Sequence, residues 1–167
     1  MTEMHFGSLE TPVGVIGVLA GPDGITRIGW QLQPGAADTR PHPVVDGART
    51  QLADFFAGRL TEFDLPLDLG SVEGSTAAVL TTLYRSVGYG QSITYGDLAA
   101  RSGSGVPARG IGAIMAANPL PIVIPCHRVV AHDGLGGYSG GDQGHGLETK
   151  RWLLELEGSL PPMLPLG

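Results

Sequence analysis

Tyr95-Gly96-Asp97-Leu98-Ala99-Ala100-Arg101-Ser102, then Gly103-Ser104-Gly105-Val106, then Pro107-Ala108-Arg109-Gly110-Ile111-Gly112-Ala113-Ile114-Met115-Ala116-Ala117 decide how the second half of this chain folds. The pattern predicts two short helices, 95–102 and 107–117, joined across Gly103-Ser104-Gly105. Pro107 suits a first helical turn, where a missing N–H removes no bond, and Asn118-Pro119 closes the second helix. Two short helices across a tight glycine turn read as a helix-turn-helix, a pattern that DNA-binding units share with many small helical hairpins.

Working outward, Val79, Leu80, Leu83, Tyr84 and Val87 recur at helical spacing until Gly88 and Gly90 end the run. A last helix is expected over 147–157, with Gly158 in the usual C-terminal capping position. The N-terminal third differs. Short β-prone runs at 5–9, 13–20 and 25–31 are separated by Thr11-Pro12 and by Gly21-Pro22-Asp23-Gly24, the signature of a small antiparallel sheet. A Gly/Pro-rich loop covers 32–43, and Val44, Ala48, Leu52, Phe55 and Phe56 then mark an amphipathic helix stopped by Gly58. One more extended segment is expected at 62–69, with a lobe boundary at 70–74. The fold class is therefore an α/β N-terminal lobe with a small antiparallel sheet, residues 1–72, plus a mostly helical C-terminal lobe containing a helix-turn-helix, residues 73–167.

The chain has 167 residues, 42% of them hydrophobic, enough for a real core. No apolar run reaches the roughly 20 residues of a membrane span, and the first twenty residues lack a signal-peptide pattern, so a soluble, cytoplasmic monomer is expected. The single cysteine excludes an internal disulfide, and no Cys/His spacing matches a zinc site. The net charge of −6 argues against nucleic-acid binding, but it is uneven. Residues 1–72 carry nine acids and four arginines, a balance of −5, whereas 73–167 carry seven acids and six bases, a balance of −1. A nucleic-acid surface, if present, belongs to the second half.

Between the helix pair and the last helix runs Pro121-Ile122-Val123-Ile124-Pro125-Cys126-His127-Arg128-Val129-Val130. A thiol beside an imidazole is a nucleophile signature, because the thiolate attacks and a base must take its proton. A buried structural cysteine next to a surface histidine is the alternative for such a dipeptide.

The wider constellation resembles the O6-alkylguanine-DNA alkyltransferase family, the methylated-DNA-protein-cysteine methyltransferases. Ile124-Pro125-Cys126-His127-Arg128-Val129 reproduces the family's active-site motif. Ala108-Arg109-Gly110, Asn118-Pro119-Leu120-Pro121, Gly137-Tyr138-Ser139-Gly140-Gly141 and Lys150-Arg151-Trp152-Leu153-Leu154 with Glu157-Gly158 follow in family order. The resemblance implies irreversible, stoichiometric transfer of an alkyl group from O6-alkylguanine, and also from O4-alkylthymine, in double-stranded DNA to Cys126, without a cofactor. It further implies His127 as base through a water, Glu157 as the partner orienting that histidine, and Asn118 as the tie between the helix turn and the cysteine segment. Tyr95, Val129, Tyr138 and Ser139 would hold the flipped base, with Tyr95 the proton donor to the purine. Arg109 would enter the stack in place of the extruded nucleotide, with Tyr95 and Arg128 also on the DNA side.

Ser75-Thr76-Ala77-Ala78 stands where many family members carry aromatic, basic or amide residues, and Met115-Ala116-Ala117 brings no basic side chain, so few phosphate contacts are expected. Two rivals remain from the sequence. One is a module that binds alkylated bases without removing them, although this chain keeps the acceptor cysteine. The other is a cysteine hydrolase or acyltransferase, whose partners normally come from distant segments.

Overall fold

A computed structural model describes residues 3–142 and 144–160. The N-terminal sheet is an antiparallel meander of β1 (His5–Thr11), β2 (Gly14–Gly21) and β3 (Gly24–Trp30), in that spatial order. Its turns follow from local chemistry. Thr11 pairs with Gly14 across Pro12-Val13, the Thr11 hydroxyl donates to the Gly14 carbonyl at 2.6 Å, and Gly14 takes φ 111°, which a side chain would resist. On β2 the alternate residues Ile16, Val18 and Ala20 are fully buried beneath α1 (Pro43–Phe56), which returns Val45, Ala48, Leu52, Phe55 and Phe56. Each such aliphatic side chain contributes about 1.5–3 kcal/mol by leaving water.

The segment 62–69 lies beside β3. It forms no strand; its contact with the sheet is one bridge, Leu67 to Ile25. Ile25 N–H donates to the Pro66 carbonyl and Asp68 N–H to the Ile25 carbonyl, but Pro66 has no N–H, so the ladder cannot extend.

The second half contains α2 (Gly74–Ser86), α3 (Tyr95–Ser102), α4 (Ala108–Ala116) and α5 (Gly146–Leu156). Thr94 caps α3 by accepting from Asp97 N–H at 3.1 Å, and Gly103 ends it in the left-handed conformation. Serines 102 and 104 then hydrogen-bond each other at 2.9 Å and stiffen the turn into α4. Two strands escaped the pattern reading: β4 (Ile93–Thr94) and β5 (Val129–Val130) pair in parallel, but two residues show no periodicity. At the far end of α5, Gly158 N–H returns to the Glu155 carbonyl and Ser159 N–H to the Leu154 carbonyl, the double bond that stops a helix behind a left-handed glycine. That stop fixes Glu157 at the helix terminus. One apolar core runs from Ile16 on the sheet to Leu153 on α5, and Ile28 N–H of β3 donates to the Pro119 carbonyl beyond α4.

Candidate active site

The segment that carries Cys126 is a strained turn. Ile122 is buried with φ 76°, a backbone region that β-branched residues rarely enter, and Ile124 N–H closes on the Leu120 carbonyl at 2.8 Å. Asn118 holds this turn: its side-chain amide donates to the Ile124 carbonyl at 2.9 Å while its oxygen accepts from Leu120 N–H at 3.0 Å. A single 3-10 turn, Cys126–Arg128, follows, and all three of its side chains are buried. The Cys126 thiol lies beside Asn118 and Tyr138. Burial pushes its pKa up and Asn118 and the charge on Lys150 pull against that, leaving a net rise. The resting thiol keeps its proton, and to attack it would have to give that proton to a base.

His127 and Glu157 come together at 2.8 Å, both fully enclosed. Burial alone would raise the Glu157 carboxyl, but hydrogen bonds from His127 and Arg128 outweigh it and bring the pKa down to about 2. An ionised carboxylate only accepts, so the imidazole proton sits on Nε2 and the lone pair on Nδ1. Burial lowers the His127 pKa despite Glu157, and Nδ1 is enclosed without a hydrogen-bond partner among the described residues. The group is a neutral base with one free acceptor.

Arg128 is a correction. Expected on the DNA side, it turns inward and is 6% exposed. Its Nε and Nη2 donate to Glu157 at 2.9 and 2.8 Å, and Nη1 donates to the Val87 carbonyl at 2.9 Å. A guanidinium with its fork already on a buried carboxylate is not offered to phosphates.

Tyr95, half-buried at the start of α3, reaches the Gly137 carbonyl at 3.5 Å, and burial raises its pKa, so the hydroxyl keeps its proton. Val129 is fully buried in β5, and its carbonyl accepts from Lys150. Tyr138 has an enclosed hydroxyl that faces the Cys126 thiol, with no other hydrogen-bond partner among the described residues. Ser139 is exposed and donates to the Ala116 carbonyl at 3.3 Å, joining its loop to the end of α4. Arg109 stands apart on the exposed first turn of α4, in no ion pair among the described residues.

Sequence reasoning missed Lys150 as part of this site. Its ammonium is fully buried, donates to the Val129 carbonyl at 2.6 Å and the Gly137 carbonyl at 3.0 Å, and lies 5.9 Å from the centre of the Tyr95 ring. Burial lowers its pKa to about 8, which leaves it mostly charged at neutrality. A signal existed: Lys150, Leu153, Leu154 and Glu157 fall at i, i+3, i+4 and i+7, so a lysine occupies the buried stripe of α5.

Residues 75–159 match the model of the 6-O-methylguanine DNA methyltransferase DNA-binding domain, and residues 4–69 match that of the ribonuclease-like domain. The methylated-DNA–protein-cysteine methyltransferase of Mycobacterium tuberculosis is 35% identical over 165 residues, 95% of either chain. That of Methanopyrus kandleri is 42% identical over 126 residues, 71% of this chain and 89% of its own. The solved structure of the Mycobacterium tuberculosis protein in complex with DNA superposes with a TM-score of 0.79 at 35% identity, covering 93% of each chain. Two domain models covering nearly the whole described chain, with full-length relatives, place this protein in the 6-O-methylguanine-DNA methyltransferase family.

Proposed function

We propose that this protein repairs O6-alkylated guanine in duplex DNA by moving the alkyl group onto Cys126, once per molecule. The observation that carries the reading is the single buried thiol on the same 3-10 turn as a neutral histidine whose Nε2 is fixed by Glu157 and whose Nδ1 is unpartnered. The thiol proton passes through a water to His127 Nδ1. Sulfur then bonds to the alkyl carbon, the carbon–O6 bond breaks, and its electron pair leaves on guanine, which takes a proton from the Tyr95 hydroxyl. Lys150 steadies the carbonyls on both sides of the base pocket. A thioether is a poor leaving group and no second thiol stands by, so the protein is consumed. Titrating methylated duplex with protein tests this: repaired guanine should equal protein added, and continued turnover contradicts it. An acceptor thiol that must stay reduced also supports a cytoplasmic location.

The paired helices α3 and α4 form a helix-turn-helix that presents Arg109 to the DNA. Arg109→Ala is expected to slow repair of duplex DNA at least about tenfold more than reaction with free O6-benzylguanine, because a free base needs no flipping. Equal losses in the two single-turnover assays would remove the assignment.

Basic groups are scarce on this face. Of the six in residues 73–167, Arg128 and Lys150 are buried and Arg151 pairs with Glu155, leaving Arg85, Arg101 and Arg109. The slope of log affinity against log salt should therefore correspond to about two to four neutralised phosphates. A slope equivalent to about eight would place the DNA elsewhere.

A further inference from the structure

Trp30 ends β3, and Gln31 behind it takes φ 61°, turning the chain away from the sheet. The indole N–H donates to the Val13 carbonyl at 2.9 Å, which fixes the ring on the first lobe's hairpin. Its edge meets Tyr138 of the other lobe, with centroids 6.3 Å apart and planes at 84°, the favourable edge-to-face arrangement. The fit leaves no slack: a Cβ on Gly140 would stand 2.7 Å from the Tyr138 ring and 2.8 Å from Trp30. Alongside, a Cβ on Gly14 of the hairpin would run into the Asp142 carboxylate, so the hairpin also lies close to the far end of 138–142. Tyr138 in turn holds an enclosed hydroxyl against the acceptor thiol. The hydroxyl interacts with the Cys126 thiol, and packing of the ring decides how well the two meet.

We propose that Trp30 is a positioning residue for the transfer, acting through Tyr138, so that the N-terminal lobe sets the surroundings of the reacting sulfur. The inference rests on the reading of Cys126 as acceptor. A phenol aimed at sulfur stabilises the developing thiolate, and a ring free to swing loses that effect while DNA, which meets α3 and α4, is still bound.

The test is single-turnover transfer from a methylated duplex by the whole protein, its Trp30→Ala and Trp30→Phe variants, and each of these combined with Tyr138→Ala. Trp30→Ala should lower the saturating rate about five- to tenfold, the scale of one edge-to-face pair, with the half-saturating DNA concentration unchanged within about twofold. Trp30→Phe keeps an aromatic edge and should stay within about twofold of the unmodified protein. In the Tyr138→Ala background the Trp30→Ala change should have no further effect, whereas a merely structural role would lower the melting midpoint and leave the saturating rate alone. Undiminished transfer by Trp30→Ala, or losses that multiply with Tyr138→Ala, would overturn the proposal. Transfer absent from the unmodified protein contradicts the acceptor reading itself, so the two failures are distinguishable.

Discussion

Cys126→Ser is expected to reduce alkyl transfer below detection while the protein still folds and still binds methylated duplex. A serine hydroxyl is nearly the size of a thiol, so the enclosed site beside Asn118 and Tyr138 repacks little. Its oxygen, however, holds its proton far more tightly than sulfur and is a much weaker nucleophile toward an alkyl carbon, so a base that suffices for the thiol leaves the serine unreactive. Single-turnover assays of duplex repair, with thermal melting and a DNA-binding isotherm on the same sample, check the three parts separately. Loss of folding along with transfer would instead mark Cys126 as a structural core residue.

Glu157→Ala should be the most damaging change to stability. The carboxylate is enclosed and is held by His127 and twice by Arg128, so its removal leaves a buried guanidinium without its counter-charge. Breaking a buried pair from one side costs about 3–5 kcal/mol, a large share of a marginal total. The imidazole also loses the acceptor that fixed its tautomer, so transfer should fall in whatever protein remains folded. The same group sets an acid limit. Because folding lowers the Glu157 pKa from 4.5 to about 2, its contribution is full above 4.5 and disappears as pH falls toward 2. Denaturant titrations of the parent and of Glu157→Gln across that range measure it. The parent should lose stability on acidification through the window, and the glutamine variant should lose less.

Much of this was legible in the residues themselves. The hairpin turns, the two short helices and the glycine behind Glu157 are local devices, each set by a few neighbouring residues, and local chemistry is what a sequence displays. Cys126 and His127 were visible because they are adjacent, and Glu157 and Asn118 because they sit in motifs of fixed order. Arg128 was misread because an arginine beside an active cysteine looks the same whether it faces DNA or a carboxylate 29 residues downstream. Only the return of α5 decides between them. The contact of Trp30 with Tyr138 was hidden for the same reason, since it joins β3 to a loop more than a hundred residues later. The strain at Ile122 was hidden because an isoleucine between apolar neighbours reads as strand, and tertiary packing overrode that preference. Lys150 was legible and passed over: charge within an apolar helical stripe is the mark of a buried, partnered group.

Intact-mass spectrometry of the protein after mixing with a duplex containing O6-methylguanine tests the central claim most directly. The expected result is a protein heavier by one methyl group, with the gain located at Cys126 by peptide mapping and the guanine in the duplex restored. An unmodified protein with the methylated base unchanged, or a methyl group found on any other residue, would contradict it.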